Sequence, residues 1–193
     1  MKIVINIVLA IASLVLAYFI YDGVNKKIEF KKMAQDRREV VQERLLKIVT
    51  AQKEFKSQKG KYASNFAELE YFLNSDSLRI VKAIGIVPDT LTEAEAVAQG
   101  IVIRDTNLVP AISIFEGEAV NVDSLKYIPF SDGKTFKMQA DVIEKNKVNV
   151  NVFEASASFA DVYKGLPTKN ENVELDDVLK VGSLTEPITS GNW

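Results

Sequence analysis

The side chains that most often do chemistry in proteins are missing or scattered in this sequence. Its 193 residues contain no histidine and no cysteine. A catalytic triad, an imidazole or thiolate zinc site and a disulfide are therefore excluded, and a reaction would have to use carboxylates, lysine, tyrosine or serine. The nine glycines form neither a dinucleotide fingerprint nor a phosphate-binding loop. These exclusions predict a protein that is not an enzyme and that holds no cofactor and no metal ion.

Carboxylates are the remaining groups that could do chemistry, and the sequence contains 26 of them. Glu154 is the most site-like, because it interrupts a strand-like run; its simpler interpretation is a marker of the solvent-facing side of that strand. The other acids of interest are interpreted as helix-cap, surface or turn residues: Asp89, Glu93, Glu95, Asp105 and Asp132.

Residues 3–21 form an apolar segment without a charged residue. Its 19 residues correspond to a helix of about 28 Å, close to the hydrocarbon thickness of a bilayer. Tyr18 and Tyr21 fit the interfacial aromatic belt. A cleavable signal peptide is the competing interpretation, but the segment is longer than a usual signal core and no small-x-small site follows it. We therefore predict a membrane anchor over residues 1–24, which contacts lipid through residues 3–21.

The net charge changes sign along the rest of the chain. Residues 26–61 carry twelve Lys or Arg and five Asp or Glu, a net charge of +7, whereas residues 62–193 carry eleven basic and twenty acidic side chains, a net charge of −9. A basic segment directly after a membrane helix fits either contact with anionic lipid headgroups or a solvated helix face. Because these basic residues follow an anchor, no nucleic acid is expected as a partner.

Two indications of membrane orientation oppose each other. Six Lys or Arg residues lie between positions 26 and 38, and the positive-inside rule alone would place them in the cytoplasm. A very short N-terminal tail followed by a long domain is instead the usual layout of an exported signal-anchor protein. We predict a single-pass protein of the inner (cytoplasmic) membrane with an extracytoplasmic, periplasmic head.

Residues 25–61 have the pattern of a continuous amphipathic helix, called the stalk below. Residues 25–58 contain no Pro or Gly, and Gly60 is placed to end the helix in a left-handed cap. Five residues at spacings of four and three form a stripe along one face of this helix: Val41, Leu45, Ile48, Gln52 and Phe55. This stripe is predicted either to pack on the head's own sheet or to contact a partner, which would be an envelope protein or a second copy of the chain.

The stalk ends in a short pattern formed by Ala51-Gln52, Phe55, Gly60-Lys61-Tyr62 and then Leu69. This pattern resembles the N-terminal region of type IV pilin-like proteins and pseudopilins, in which a long helix, half in the membrane, ends in an aromatic residue, a Gly-x-Tyr and a short helix. The whole chain is similar to uncharacterised single-pass envelope proteins of Bacteroidota. The basic leader and the early glutamate of prepilins are missing, so the resemblance implies a pilin-like shape more than polymerisation into a filament.

Residues 62–193 predict a soluble head. Two short helices are predicted from segments with the form of a capping box, Asn65–Glu68 and Thr92–Glu95. A turn is predicted at Asp105–Asn107, and a hairpin connection at Glu144–Lys147. Residues 189–193 are expected to be poorly tied down. Strand-like runs follow in near-sequential order: Ile101–Arg104, Leu108–Phe115, Leu125–Pro129, Thr135–Glu144 and Val148–Phe159. The predicted fold class is α+β, with an N-terminal transmembrane helix continuing into a long amphipathic helix packed on a mostly antiparallel β-sheet, as in pilin-like proteins.

The leading expectation for function is a membrane-anchored, pilin-like structural or interaction component of a cell-envelope assembly. A membrane-tethered ligand-binding or sensory module is the first alternative, and it would need a concave apolar pocket with a few convergent polar groups. A tethered carboxylate-based hydrolase is the second, and it would need two acids about 5–10 Å apart in a cleft.

Overall fold

The longest element, helix α1, runs without interruption from Lys2 to Lys59. The computed structural model describes residues 2–88, 90–115, 117–169, 171 and 173–193, and within these every side chain except those at positions 2, 80–84, 93 and 104–106. Among these residues, α1 is the one helix long and apolar enough to cross a bilayer. It ends where the sequence predicts, at Gly60, which has a φ of +76°.

The two halves of α1 have different surroundings. Phe30, at 4% exposure, is the first buried side chain of α1 among those that the structure describes. From there to Phe55 one face of the helix is covered by the rest of the chain. The head therefore packs around the second half of α1, and the apolar first half projects from it.

Three short α-helices follow in the described part of the chain: α2 (Phe66–Ser75), α3 (Glu93–Ala98) and α4 (Phe159–Val162). Asn65 caps α2 by accepting a 2.9 Å hydrogen bond from the Glu68 amide, while the Glu68 carboxylate accepts from the Ser64 amide at 3.1 Å. The α3 helix has a complete capping box. Hydrogen bonds from Thr92 lower the pKa of Glu95. Both predicted helix starts are confirmed.

The strands form two antiparallel sheets. The first is a ribbon of β1 (Ser77–Ile84) and β2 (Ile103–Pro110); the second contains β3 (Lys137–Lys145), β4 (Val148–Ser158) and β5 (Val178–Ser183) in the order β3-β4-β5. The β3–β4 hairpin turns at Asn146 and Lys147, whose φ values of 53° and 65° are those of a type I′ turn. Because α1 packs against β4 and β5, the predicted α+β class, a long helix on an antiparallel sheet, is confirmed.

The turn predicted at Asp105–Asn107 is wrong, because these residues lie inside β2. Their backbone pairs with Lys82–Ile80 of β1, a strand that the sequence pattern did not indicate. Asp, Thr and Asn favour turns locally, but pairing with a neighbouring strand overrides that preference. The predicted strand Leu108–Phe115 is also wrong beyond Pro110, where Ala111–Phe115 form a 3₁₀ helix.

The C-terminal residues are held more firmly than predicted. The Gly182 amide donates to the Ser190 carbonyl at 3.1 Å, and the Asn192 amide donates to the Lys180 carbonyl at 3.2 Å. The Asn192 side chain also bonds the backbone of β5 at Lys180 and Val178. The tail thus covers the outer edge of β5.

The strand predicted at Leu125–Pro129 is reduced to a single bridge between Tyr127 and Thr135.

Candidate interaction surfaces

The stripe that the sequence offers as a partner contact lies in the core of the chain itself. Val41, Leu45, Ile48 and Gln52 have no exposed surface, and Phe55 is 6% exposed. The four apolar members share one cluster with side chains of α2, β4 and β5, and the Phe55 ring lies 5.2 Å from the Phe72 ring, edge to face. The structure therefore places the stripe against the head, the other possibility stated above, and leaves none of the five side chains available to a partner.

Gln52 has a specific structural role that sequence reasoning missed. Its side-chain oxygen accepts a hydrogen bond from the Ala63 amide, and its side-chain nitrogen donates to the Ala63 carbonyl, both at 2.9 Å. The nitrogen also lies 3.2 Å from the Met138 sulfur. The side chain thus pairs both backbone groups of a buried residue in the turn that follows α1. One polar residue in an apolar stripe was the signal for this role.

Two arginines of the stalk attach loops of the head to α1. Arg44 donates to the carbonyls of Ser124 and Tyr127 at 3.2 and 2.9 Å, and burial lowers the pKa of its guanidinium. Arg37 donates to the Lys164 carbonyl at 2.6 Å and lies 4.9 Å from the Phe130 ring centre. Part of the basic charge of the stalk is therefore used inside the fold, which a charge count could not reveal.

The acids considered as site residues have structural partners where the structure describes them. Glu154 forms a 2.8 Å ion pair with Lys180, and Asp132, at a φ of +54°, pairs with Lys164 at 2.9 Å. Glu95 belongs to the capping box of α3. Asp89 and the side chains of Glu93 and Asp105 lie outside the described residues. Within the described part of the chain, no group of three or more acids is arranged to hold a metal ion.

Free backbone and apolar surface lie elsewhere. The outer edge of β3 pairs with no strand among the residues that the structure describes, and Val142 on that strand is 54% exposed. The β1–β2 ribbon carries Ile103 and Leu108 at 61% and 67% exposure, and Ile86, just after β1, is 87% exposed. These two features, called the β3 edge and the ribbon below, are the head surfaces best suited to protein contacts.

Among the described residues, two grooves lie along the stalk before position 51. The first, called the juxtamembrane groove below, has a volume of about 560 Å³ and lies between the start of the stalk and the segment that follows β4. The second, of about 740 Å³, is bridged by a 2.6 Å ion pair between Lys47 and Glu118. Both are lined by charged as well as apolar side chains, unlike the mostly apolar pockets that enclose small ligands.

The fold and these surfaces define an α+β protein with one candidate membrane helix at its N-terminus. The chain matches no protein-family model, no curated protein and no solved structure.

Proposed function

We propose that this chain is a membrane-anchored, pilin-like structural and interaction component of a cell-envelope assembly. The continuity of α1 is the observation that supports this role. One helix provides both an exposed apolar segment of membrane length and the buried face around which the head folds. An anchor and a head that share a helix would hold the head at a fixed height and orientation, as a scaffold component requires.

The proposed location is the inner membrane, with residues 3–21 in lipid and the head in the periplasm. The long domain that follows the apolar segment, residues 62–193, supports the periplasmic side. The basic residues at the start of the stalk oppose this orientation under the positive-inside rule. The rule gives less weight to long translocated domains, and for that reason we retain the periplasmic side.

The β3 edge is the proposed contact with the partner, either another envelope protein or a second copy. A free strand edge offers a row of backbone donors and acceptors, and an added strand satisfies them while side-chain pockets give specificity. The opposite edge of the sheet, along β5, is already occupied by the tail through Ser190 and Asn192. Within the described residues, the sheet therefore has one edge without a partner strand, along which the Val142 amide bonds the Asp141 side chain at 2.7 Å, and one edge that is closed.

A photocrosslinking amino acid at Val142 tests both parts of this proposal in one sample. The full chain is expressed in its native membranes, irradiated, and washed with alkaline carbonate. We expect it to stay in the membrane pellet and to form one or two discrete crosslinked species through the β3 edge. The control places the same amino acid at Tyr71 of α2, which is 69% exposed but lies on no strand edge.

Equal crosslinking from both positions would contradict a specific contact at the β3 edge. Extraction of the chain by carbonate would contradict the membrane anchor, whatever crosslinks are seen.

A further inference from the structure

The juxtamembrane groove combines cations that form no ion pair among the described residues with a buried apolar floor. Lys27, Lys31 and Arg38 line it from one side of α1, and their spacings of four and seven place them along one face of the helix. Within the described residues, none of the three forms an ion pair. Glu171 is the acid among the lining residues, and it stands on the opposite wall. The groove therefore carries an excess of positive charge.

The floor of the groove is aromatic and aliphatic. Phe30 and Ala34 are 4% and 6% exposed, and the Phe30 ring lies edge-on to the Tyr163 ring with 6.4 Å between their centres. A tyrosine hydroxyl keeps its proton at neutral pH, and burial raises the pKa of Tyr163 further, so the floor adds no negative charge. A ligand that fits this groove would carry a negative charge beside an uncharged portion.

The position of the groove along α1 indicates which ligand of that kind lies within its reach. At about 1.5 Å per residue, Lys27 and Lys31 lie about 9 and 15 Å beyond Tyr21, where the apolar segment ends. Headgroups extend roughly 5–8 Å beyond the hydrocarbon on each side of a bilayer. Side chains on a helix lean toward its N-terminus, which here is the membrane end, so both ammonium groups are directed back toward the headgroup layer.

We propose that the juxtamembrane groove binds the headgroup of an anionic phospholipid from the leaflet that α1 leaves. Lys27, the lysine nearer to the membrane, holds the phosphate, and Lys31 with the edge of the Phe30–Tyr163 floor meets the part of the headgroup that lies beyond the phosphate. Arg38, farther from the membrane, closes the upper end of the groove. The inference rests on the proposed membrane anchor, because only an inserted α1 brings lipid to this height.

The test uses the full chain in nanodiscs that contain equal amounts of phosphatidylcholine and phosphatidylglycerol. Native mass spectrometry counts the lipids that stay bound when the chain leaves the nanodisc. We expect phosphatidylglycerol to be enriched on the wild-type chain. The double variant K27Q/K31Q is expected to reduce that enrichment about tenfold, since each basic residue near an anionic surface contributes several-fold.

The matched control is K26Q/K32Q, which removes two charges at the same height. Lys26 and Lys32 are absent from the groove lining, and Lys26 pairs with Asp22 at 2.6 Å. Charge near the surface alone predicts a similar loss in both variants, so we expect a clearly smaller loss in the control because neither of its lysines lines the groove. Equal losses in the two variants, or no enrichment on the wild type, would overturn a bound lipid in the groove.

Two further outcomes separate this inference from others. If K27Q/K31Q alters the number of chains per nanodisc while lipid enrichment is unchanged, the groove binds an acidic surface of a second copy and the lipid proposal fails. If the wild-type chain does not enter these nanodiscs, the membrane anchor itself fails.

Discussion

Replacing Gln52 with alanine is expected to lower the free energy of unfolding by about 2–4 kcal/mol. The substitution removes both hydrogen bonds to Ala63, whose side chain and surroundings are buried. A buried amide and a buried carbonyl then lose their partners together, and each unsatisfied group costs about 1–3 kcal/mol. The measurement is urea unfolding of the full chain in detergent micelles, followed by circular dichroism.

Two further variants identify the cause of the loss. Gln52→Leu keeps most of the side-chain volume, so a loss similar to that of Gln52→Ala assigns the effect to the hydrogen bonds and not to a cavity. Gln58→Ala is the matched control, because Gln58 is exposed and donates only to Glu54 one turn earlier; such a pair contributes about 0.2–0.5 kcal/mol. A change at Gln52 as small as that at Gln58 would contradict the role assigned to Gln52.

Replacing Gly182 with alanine is expected to destabilise the head by about 2–4 kcal/mol. Gly182 has a φ of +73°, and an added Cβ would collide with the Phe153 carbonyl oxygen of the neighbouring strand. A left-handed backbone costs a non-glycine residue about 1 kcal/mol, and the collision adds the cost of moving β5 away from β4, of the order of 1–3 kcal/mol for overpacking. The same urea titration measures the loss.

Gly133→Ala separates the two contributions. Gly133 has a φ of +85° and no heavy atom within 4 Å of an added Cβ, so only the backbone cost of about 1 kcal/mol is expected. Equal losses at Gly182 and Gly133 would mean that close packing between β4 and β5 does not limit position 182.

Local signals in the sequence predict much of this fold. The apolar segment, the helix formers of the stalk and Gly60 fix the extent of α1. The capping residues Asn65 and Thr92 fix the starts of α2 and α3. The β3–β4 hairpin follows from alternation on either side of a short polar connection. In each case the residues that determine the structure are close together in the chain, so a pattern of a few residues suffices.

Features that depend on distant partners are not predictable in this way. The β2 residues Asp105–Asn107 resemble a turn until β1 supplies their backbone partners. The tail looks loose until Asn192 is seen to bond β5. The stripe is correctly recognised as an apolar helix face, but the sequence does not say whether the head or a partner covers it. The acceptors of Arg37 and Arg44 are likewise loop carbonyls some 80 or more positions away.

The juxtamembrane groove is likewise predictable only in part from the sequence. The excess of basic residues after the anchor is plain in the sequence and suggests anionic lipid. The sequence does not show that Arg37 bonds the head, whereas Lys27 and Lys31 line a groove with a buried aromatic floor and form no ion pair within the described part of the chain. That distinction depends on how the segment after β4 packs against α1.

The central claim is that one uninterrupted helix joins the membrane segment to the core of the head. The chain contains no cysteine, so spin labels can be attached to Leu16→Cys and Lys53→Cys without removing native thiols. Distances between the labels are then measured by double electron–electron resonance in nanodiscs. Met33→Cys with Lys53→Cys is the control pair, because both positions lie on the half of α1 that packs against the head.

A continuous helix predicts a single narrow distance distribution near 55 Å for the pair Leu16–Lys53, at about 1.5 Å per residue. Its width should match that of the control pair, which is expected near 30 Å. A shorter or broad distribution for Leu16–Lys53, beside a narrow one for the control, would place a break near Gly23. That result would contradict a head held at fixed height above the membrane.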